Sequence, residues 1–383
     1  MENSRLKDCA KCAACNAGCP LFAIKQNESW APRGLLALVD GMLAGKAGPG
    51  QAGPPQPPSG FKERLMGCAL CGKCDSICPV GLKPTEIIYS GRAAVSRAAR
   101  KDRFLLKLAA RLAVRNPAQA VKAAKAGMRF KFVRSAVPFP LEFPERPLRD
   151  EVQVVKPAKT IGRVAVFAGC AANYLMPDVG ESLINLLAAL GYEVVLPRAE
   201  VCCGAPLRAL GLEDEAKKLA ARNIGIFGKL NAEAVISPCP TCAHALKNQY
   251  KNLVGQGIPE AVEATGFLAK TLDLDKLNNA AEKENENILW HNPCHLGHGL
   301  KTNPSEILKS LGIERTPDDC CGFSLSITSK ELAAEFLAKR VCSLKGHTKV
   351  ITSCPACIIQ LKKGGVNASH IVNLLEKRLL PSG

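Results

Sequence analysis

The sequence has 383 residues, and the residue type most suited to chemistry is cysteine, with 19 copies. Eight of them form two runs of the pattern Cys-x-x-Cys-x-x-Cys-x-x-x-Cys-Pro, namely Cys9, Cys12, Cys15 and Cys19, then Cys68, Cys71, Cys74 and Cys78. This is the bacterial ferredoxin run, in which three close thiolates bind one [4Fe–4S] cluster and the fourth binds the neighbouring cluster. The pattern therefore predicts two cubane clusters.

By this crossed rule, each ferredoxin-type site takes its fourth ligand from the other run. We define ferredoxin site 1 as Cys9, Cys12, Cys15 and Cys78, and ferredoxin site 2 as Cys68, Cys71, Cys74 and Cys19. Paired Cys-x-x-Cys units also bind structural zinc, but zinc needs only four thiolates and has no use for a third spacing followed by Cys-Pro. Two complete runs favour iron–sulfur clusters.

Ten further cysteines form two sets with one shared order: a single cysteine, a Cys-Cys-Gly pair, and Cys-Pro-x-Cys. Five-cysteine site 1 is Cys170, Cys202, Cys203, Cys239 and Cys242, and five-cysteine site 2 is Cys294, Cys320, Cys321, Cys354 and Cys357. Five thiolates exceed the four of a cubane or a zinc site, and adjacent cysteines suit bridging two irons of an open cluster. We expect one or two further iron–sulfur clusters here, of a noncubane type; zinc at one site is the alternative.

Three histidines surround Cys294 in the sequence. His291 and His295 flank this ligand, so either neutral ring can contact the bound group and tune its potential without ligating it. His298 is expected on a solvated loop. The one cysteine outside all four sites, Cys342, is expected to be a buried packing residue.

The elements that position these residues follow from hydrophobic patterning. Apolar, strand-like segments lead directly into Cys170, Cys239, Cys294 and Cys354 and alternate with helices, which predicts parallel sheets with cysteines at the strand ends. The expected fold is a mostly α-helical two-cluster ferredoxin-like domain followed by two duplicated α/β cysteine-rich (Cys-Cys-Gly) domains. We predict their ranges as a ferredoxin domain at 1–95, a basic amphipathic connection at 96–157, and cysteine-rich domains at 158–272 and 285–383.

Charge and hydropathy indicate the cellular compartment and the kind of surface that the chain contacts. No apolar run reaches the ~18–20 residues needed to span a bilayer, and no export signal is recognised at the start, so we expect a reducing, cytoplasmic setting. The net charge is +17, and residues 97–134 contain twelve Lys and Arg against one acid. Basic residues at every fourth position of one face predict a helix that contacts a membrane surface or an acidic partner. The alternative is a helix packed on the protein's own core with its basic face in solvent. Few aromatic residues and no reading motif argue against nucleic acid.

These motifs resemble the iron–sulfur subunits of glycolate oxidase and D-lactate dehydrogenases, within a wider Cys-Cys-Gly family that includes heterodisulfide reductase subunits. The resemblance runs almost end to end. It is carried by both ferredoxin runs, both Cys-Cys-Gly pairs, Ala31-Pro32-Arg33-Gly34 and His291-Asn292-Pro293-Cys294-His295-Leu296. It implies an FAD-containing dehydrogenase partner and transfer of electrons toward quinone or another membrane redox partner.

One departure keeps a second hypothesis open. In the glycolate oxidase branch the final Cys-x-x-Cys units often lack one cysteine, whereas both are complete here, as in the heterodisulfide reductase branch. One hypothesis is therefore an electron-transfer subunit of a flavin-dependent 2-hydroxyacid dehydrogenase. The alternative is a catalytic subunit that reduces a disulfide at a noncubane cluster. The sequence shows no dinucleotide fingerprint or catalytic triad of its own.

Overall fold

The computed structural model describes residues 7–43, 60–98, 146–151, 153–280 and 287–380, with a few isolated positions between 119 and 126. The predicted basic helix at 97–134 and the Gly- and Pro-rich segment at 45–60 lie almost wholly outside the described residues.

The first region is helical, and no strand occurs among its described residues between 7 and 98. Its helices are α1 (Ala14–Ala17), α2 (Pro20–Lys25), α3 (Pro32–Leu43), α4 (Phe61–Met66), α5 (Lys73–Ile77) and α6 (Pro84–Ala98). Proline begins α2, α3 and α6, where its fixed φ suits the first helical turn and its missing N–H costs nothing. The buried side chains of Leu35, Val39, Leu65 and Ile88 form its core.

The second region begins with α7 (Leu148–Glu151) and contains a five-stranded sheet in the order β1-β3-β2-β4-β5. The strands are β1 (Val154–Val155), β2 (Gly162–Val166), β3 (Tyr192–Val195), β4 (Ala234–Ser237) and β5 (Ala261–Glu263). All pairings are parallel except β1 with β3. The helices are α8 (Gly169–Tyr174), α9 (Pro177–Ala189), α10 (Ala205–Ala209), α11 (Glu213–Phe227), α12 (Pro240–His244), α13 (Tyr250–Val254), α14 (Ala264–Thr271) and α15 (Leu274–Ala280).

The third region repeats this plan with a four-stranded parallel sheet in the order β7-β6-β8-β9. The strands are β6 (Ile288–Trp290), β7 (Glu314–Arg315), β8 (Lys349–Thr352) and β9 (Ala368–His370). The helices are α16 (Ser305–Ser310), α17 (Lys330–Cys342), α18 (Pro355–Lys363) and α19 (Ile371–Leu379). The predicted parallel α/β pattern is therefore present in both halves.

The duplication extends to single residues. Glu263 and His370 both end the last strand of their sheet, and both accept backbone N–H groups at the start of the following helix, from Thr265 and Val372 respectively. The other ring nitrogen of His370 donates to the carbonyl oxygen of Pro238, at 3.0 Å, in the opposite half. His370, which caps a helix of the second half, therefore also binds the backbone next to Cys239 in the first half.

The two α/β halves share one apolar core. Buried residues of both sheets, including Val166, Trp290 and Ile351, belong to a single cluster. Helices α9 and α19 pack across the boundary, where the Nδ2 of Asn185 donates to Glu376 at 2.6 Å. Burial of this shared apolar surface favours association of the two halves.

A buried arginine joins the helical region to the first α/β half. Arg92 is 1% exposed, and its guanidinium donates to the carbonyl oxygens of Leu65, Cys68 and Ala209 at 2.9, 2.6 and 2.8 Å. Gly211 has a φ of +76° and packs against the backbone of Arg92 at this contact. A side chain at position 211 would therefore meet both a strained backbone conformation and the chain that carries Arg92.

We expect Gly211→Ala to lower the free energy of unfolding by about 3 kcal/mol, since it adds overpacking to the left-handed backbone penalty. Gly255→Ala is the matched control: its φ is +80°, and a Cβ there meets no atom within 4 Å, so it should cost only about 1 kcal/mol. Anaerobic urea unfolding followed by tryptophan fluorescence measures both. Equal losses would show that the close packing of Gly211 against the backbone of Arg92 adds nothing to the cost of the substitution.

Candidate metal centres

Ferredoxin site 1 is a small cavity lined by all four of its cysteines. Between them, Lys11 and Ala13 adopt φ values of +54° and +60°, which L residues rarely adopt, and these turns fold the loop back on itself. Burial is the main cause that raises the pKa of Cys15, and the charges of the other three cysteines of the site, Cys9, Cys12 and Cys78, raise it further. The structure thus brings together the crossed set that the spacing predicted.

Ferredoxin site 2 is a second cavity lined by its four cysteines. Leu70 has a φ of +55°, and its backbone N–H donates to the Sγ of Cys68 at 3.4 Å. Burial raises the pKa of Cys19 to about 11. Buried thiols of this kind ionise only when a cation, such as iron, stabilises the thiolate.

Five-cysteine site 1 collects cysteines from three strand-to-helix connections, after β2, β3 and β4. Cys170 lies in α8, Cys202 and Cys203 precede α10, and Cys239 caps α12, which contains Cys242. The Sγ atoms of Cys203 and Cys242 are 3.6 Å apart, and the N–H of Gly204 points at the Sγ of Cys202 at 3.5 Å. Hydrogen bonds from Cys202 and then Cys242 lower the pKa of Cys203 to about 6.

Five-cysteine site 2 has the same construction after β6, β7 and β8. The Sγ atoms of Cys321 and Cys357 are 3.3 Å apart, and the N–H of Gly322 points at the Sγ of Cys320 at 3.4 Å. A Cβ on Gly322 would lie 2.5 Å from the Cβ of Phe336. The glycine after the cysteine pair therefore also lets the following helix pack closely, a role that the spacing of the cysteines does not indicate.

The four sites form a continuous row. Burial and then the charge of Cys294 raise the pKa of Cys71, and both cysteines pack in one cluster, so ferredoxin site 2 adjoins five-cysteine site 2. Across the α/β interface, a hydrogen bond with Cys239 is the main cause that lowers the pKa of Cys354 to about 5. Burial and then nearby charges, among them that of Cys15 in ferredoxin site 1, raise the pKa of Cys19 in ferredoxin site 2. These contacts give the order ferredoxin site 1, ferredoxin site 2, five-cysteine site 2 and five-cysteine site 1.

The ends of this row are the sites that reach solvent. Cys12 in ferredoxin site 1 and Cys170 in five-cysteine site 1 are exposed, whereas the cysteines of the two inner sites are all buried or half-buried. Five-cysteine site 2 lies inside the row although it is the last of the four in the sequence.

His295 joins three of the cysteine loops. Its Nε2 donates to the carbonyl oxygen of Leu70 at 3.1 Å, because a carbonyl can only accept, and its Nδ1 therefore accepts from the hydroxyl of Thr241 at 2.8 Å. His295 is adjacent to Cys294, so one neutral ring touches the loops of ferredoxin site 2, five-cysteine site 1 and five-cysteine site 2.

His291 is fully buried behind five-cysteine site 2. Its Nδ1 accepts from the Nε of Arg340 at 2.9 Å, and one ring nitrogen lies within 4.8 Å of the sulfurs of Cys321 and Cys357. Burial lowers the pKa of His291, so its ring stays neutral. Both flanking histidines therefore lie against the cysteine loops, as the sequence hypothesis requires.

Two expectations about the remaining residues were wrong. His298 is half-buried in a helical turn, and its Nδ1 lies 3.3 Å from the Oγ of Ser76, so it contacts the helical region instead of being freely solvated. Cys342 is exposed at the end of α17 rather than buried, because the apolar face of that helix is formed by Leu332, Phe336 and Leu337.

These surroundings fit anionic, thiolate-bound clusters. Backbone N–H groups point at the sulfurs of Cys68, Cys202 and Cys320, an arrangement that stabilises negative charge on sulfur. Two buried guanidinium groups lie near the sites: Arg92 interacts electrostatically with Cys68, and Arg340 with Asp319 and then the cysteines of five-cysteine site 2. Sequence reasoning missed both arginines, since an isolated basic residue in a helix gives no signal that it is buried.

Among the residues that the structure describes, no helix combines the length and apolar character required to cross a bilayer.

Comparison with known proteins agrees with this layout. A family model described as a 4Fe-4S dicluster domain matches residues 5–82, and a model described as a cysteine-rich domain matches twice, at 164–247 and 288–362. The two α/β halves are therefore copies of one domain type.

Similar proteins are iron–sulfur proteins and oxidoreductase subunits. A probable glycolate oxidase iron–sulfur subunit of Bacillus subtilis is 25% identical, with 98% of this chain and 94% of that protein covered. A subunit of the dihydromethanophenazine:CoB–CoM heterodisulfide reductase of Methanosarcina barkeri is 27% identical, covering 94% of this chain and 89% of that protein.

An uncharacterised iron–sulfur protein of Methanocaldococcus jannaschii is 30% identical over 369 residues, which is 93% of this chain and 67% of that protein. The chain spans 63% of the length of a similar protein of Methanococcus maripaludis, which is 28% identical over 83% of this chain. From the matched domains and this end-to-end similarity, the chain belongs to the family of iron–sulfur proteins that join a 4Fe-4S dicluster domain to two cysteine-rich domains.

Proposed function

We propose that the chain is the electron-transfer subunit of a flavin-dependent 2-hydroxyacid dehydrogenase that oxidises glycolate or D-lactate. The observation that supports this most directly is the continuous row of four cysteine sites, which has one exposed cysteine in each end site and only buried or half-buried cysteines in the two inner sites. A row with two accessible ends suits conduction between two partners. A single reaction at a single site would not need it.

The residues of the row hold the proposed cofactors. Ferredoxin sites 1 and 2 would each bind a [4Fe–4S] cubane, and the two five-cysteine sites would each bind a further iron–sulfur cluster, with all 18 ligands assigned above. Iron–sulfur clusters accept and donate single electrons at potentials set by hydrogen bonds, charge and solvent exposure. The protein's own contribution is to shield most of the inner cysteines from solvent and to place Cys71 next to Cys294 and Cys239 next to Cys354.

The partners follow from the same row. An FAD-containing subunit would dock at one exposed end, and a quinone or membrane redox partner would receive electrons from the other. The Bacillus subtilis relative is named as a subunit of a glycolate oxidase, which is consistent with a separate catalytic chain. Peripheral contact with the inner face of the cytoplasmic membrane through residues 97–134 belongs to this proposal.

A second candidate function is disulfide reduction at the five-cysteine sites. It is favoured by the completeness of both sets, by the interaction between Cys239 and Cys354 that joins them, and by the accessibility of Cys170. In this role, two electrons and two protons would convert one small disulfide into two thiols. The similarity to a heterodisulfide reductase subunit supports it.

We expect anaerobically isolated protein to contain about 16 iron atoms per chain, with matching acid-labile sulfide, if all four sites hold four-iron clusters. Cys321→Ser should remove about four of these irons, because it deletes a ligand of an inner site. Cys342→Ser is the matched control and should retain them all, since Cys342 is exposed and outside every site. About eight irons with one or two zincs in the wild type would confine the clusters to the ferredoxin sites and contradict the proposal.

The two candidate functions predict different substrates. If the chain serves a 2-hydroxyacid dehydrogenase, the complex isolated from its native cells contains FAD, and glycolate or D-lactate bleaches the iron–sulfur absorption under anaerobic conditions. Removal of the flavin should abolish this bleaching. If neither acid bleaches the flavin-containing complex, the dehydrogenase proposal is wrong.

The disulfide reductase instead predicts turnover of a low-molecular-weight disulfide with reduced methyl viologen as donor, measured as release of thiol. This activity should survive removal of the flavoprotein and be lost in both Cys203→Ser and Cys321→Ser. Absence of thiol release from protein with full iron content would rule out the second candidate.

A further inference from the structure

The two five-cysteine sites occupy equivalent places, so a residue that differs between them is informative. The backbone N–H of Phe167 donates to the carbonyl of Ile236, and that of His291 donates to the carbonyl of Ile351, each in the position just after the central strand. Phe167 and His291 are therefore counterparts. Both are fully buried.

Among the described residues, His291 carries a ring N–H without a nitrogen or oxygen acceptor, and the sulfur of Cys321 is the side-chain atom that interacts with the ring from the cysteine site. Its Nδ1 accepts from Arg340, and a guanidinium can only donate, so the proton of the neutral ring must be on Nε2. That Nε2 is buried and unpaired within the described part of the chain. Leaving a buried N–H unsatisfied costs about 1–3 kcal/mol, so the site is incomplete without an acceptor at this place.

The position of the ring indicates which acceptor is missing. One ring nitrogen of His291 and the sulfurs of Cys321 and Cys357 lie within 4.8 Å of one another. Direct ligation of iron would require a bare Nε2 and therefore a proton on Nδ1, which Arg340 prevents. The ring is thus prepared to donate toward sulfur and not to bind the metal.

Five-cysteine site 1 lacks this device at the equivalent positions. Phe167 presents an apolar ring where His291 presents an N–H. Arg340 is the eleventh residue of α17, and the eleventh residue of α11 is Asn223, a neutral side chain whose Nδ2 donates to the backbone carbonyl of Val201 and to the hydroxyl of Tyr250. Five-cysteine site 2 therefore has an extra N–H donor, on His291, that is hydrogen-bonded to the guanidinium of Arg340. Five-cysteine site 1 has neither group at the equivalent positions.

We infer that His291 is a positioning residue that donates its Nε2–H to the sulfur of the group at five-cysteine site 2, making that site more easily reduced than five-cysteine site 1. A hydrogen bond to sulfur and a nearby positive charge both stabilise the more negative, reduced state. This inference rests on the proposed function, since it requires clusters at both sites.

The test is an anaerobic redox titration monitored by electron paramagnetic resonance, with the signal of five-cysteine site 2 identified by its loss in Cys321→Ser. His291→Phe places the residue of the first site at the second site. It should lower the midpoint potential of five-cysteine site 2 by about 59 mV for a one-electron couple, which changes the distribution of electrons between the two sites about tenfold. The other three signals should keep their midpoints.

Two further measurements distinguish an effect of the hydrogen bond on the potential from structural damage to the site. His291→Gln retains an acceptor for Arg340 and an N–H donor, so it should restore most of the shift. Exchangeable-proton electron–nuclear double resonance should show a coupling at five-cysteine site 2 that is present in the wild type, lost in the phenylalanine variant and regained with glutamine. Iron and sulfide content is recorded for each variant.

The outcomes are distinct. An unchanged midpoint in His291→Phe with full iron overturns the inference and leaves the proposed function intact. A directly bound histidine nitrogen, seen as a large ¹⁵N coupling after isotopic labelling, also overturns it. A wild-type chain without iron at the five-cysteine sites defeats the proposed function itself.

Discussion

Concentrated thiolate charge is the constraint that shapes this protein. Four groups of cysteines lie in a row, and burial raises the pKa of several of them, so they can be ionised together only in the presence of metal. The surrounding structure supplies what such charge needs: N–H groups aimed at sulfur and buried guanidinium groups at Arg92 and Arg340. Arg92 also joins the helical region to the first α/β half, and Arg340 joins α17 to the segments that carry His291 and Pro317 within the second half.

The features predicted correctly from the sequence are those that depend on short motif spacing and on local hydrophobic periodicity. The crossed ferredoxin sets, the parallel sheets and the placement of cysteines after strands all follow from motif and periodicity, and the structure has them. Strands β1, β5, β7 and β9 were not predicted. They are two or three residues long, and polar residues such as Glu314 and Arg315 give no alternating pattern. Such edge strands form because a neighbouring strand offers hydrogen bonds, which is tertiary information.

Long-range relations were beyond sequence reasoning for a similar reason. Nothing in the spacing indicates that Cys71 adjoins Cys294, or that Arg92 reaches Ala209, because these pairs are separated by more than a hundred residues. The exposed position of Cys342 was also missed. A cysteine near the end of a helix is buried or exposed according to the face it occupies, and the sequence around Cys342 was compatible with both.

The spatial order of the sites has a consequence for synthesis of the chain. The ferredoxin region leaves the ribosome well before the surface that it needs beside Cys294, Ser324 and Glu335 has been made. Assembly of the row must therefore wait until the second cysteine-rich half has been translated. A chain that stopped before that half would lack five-cysteine site 2, the site that lies between ferredoxin site 2 and five-cysteine site 1.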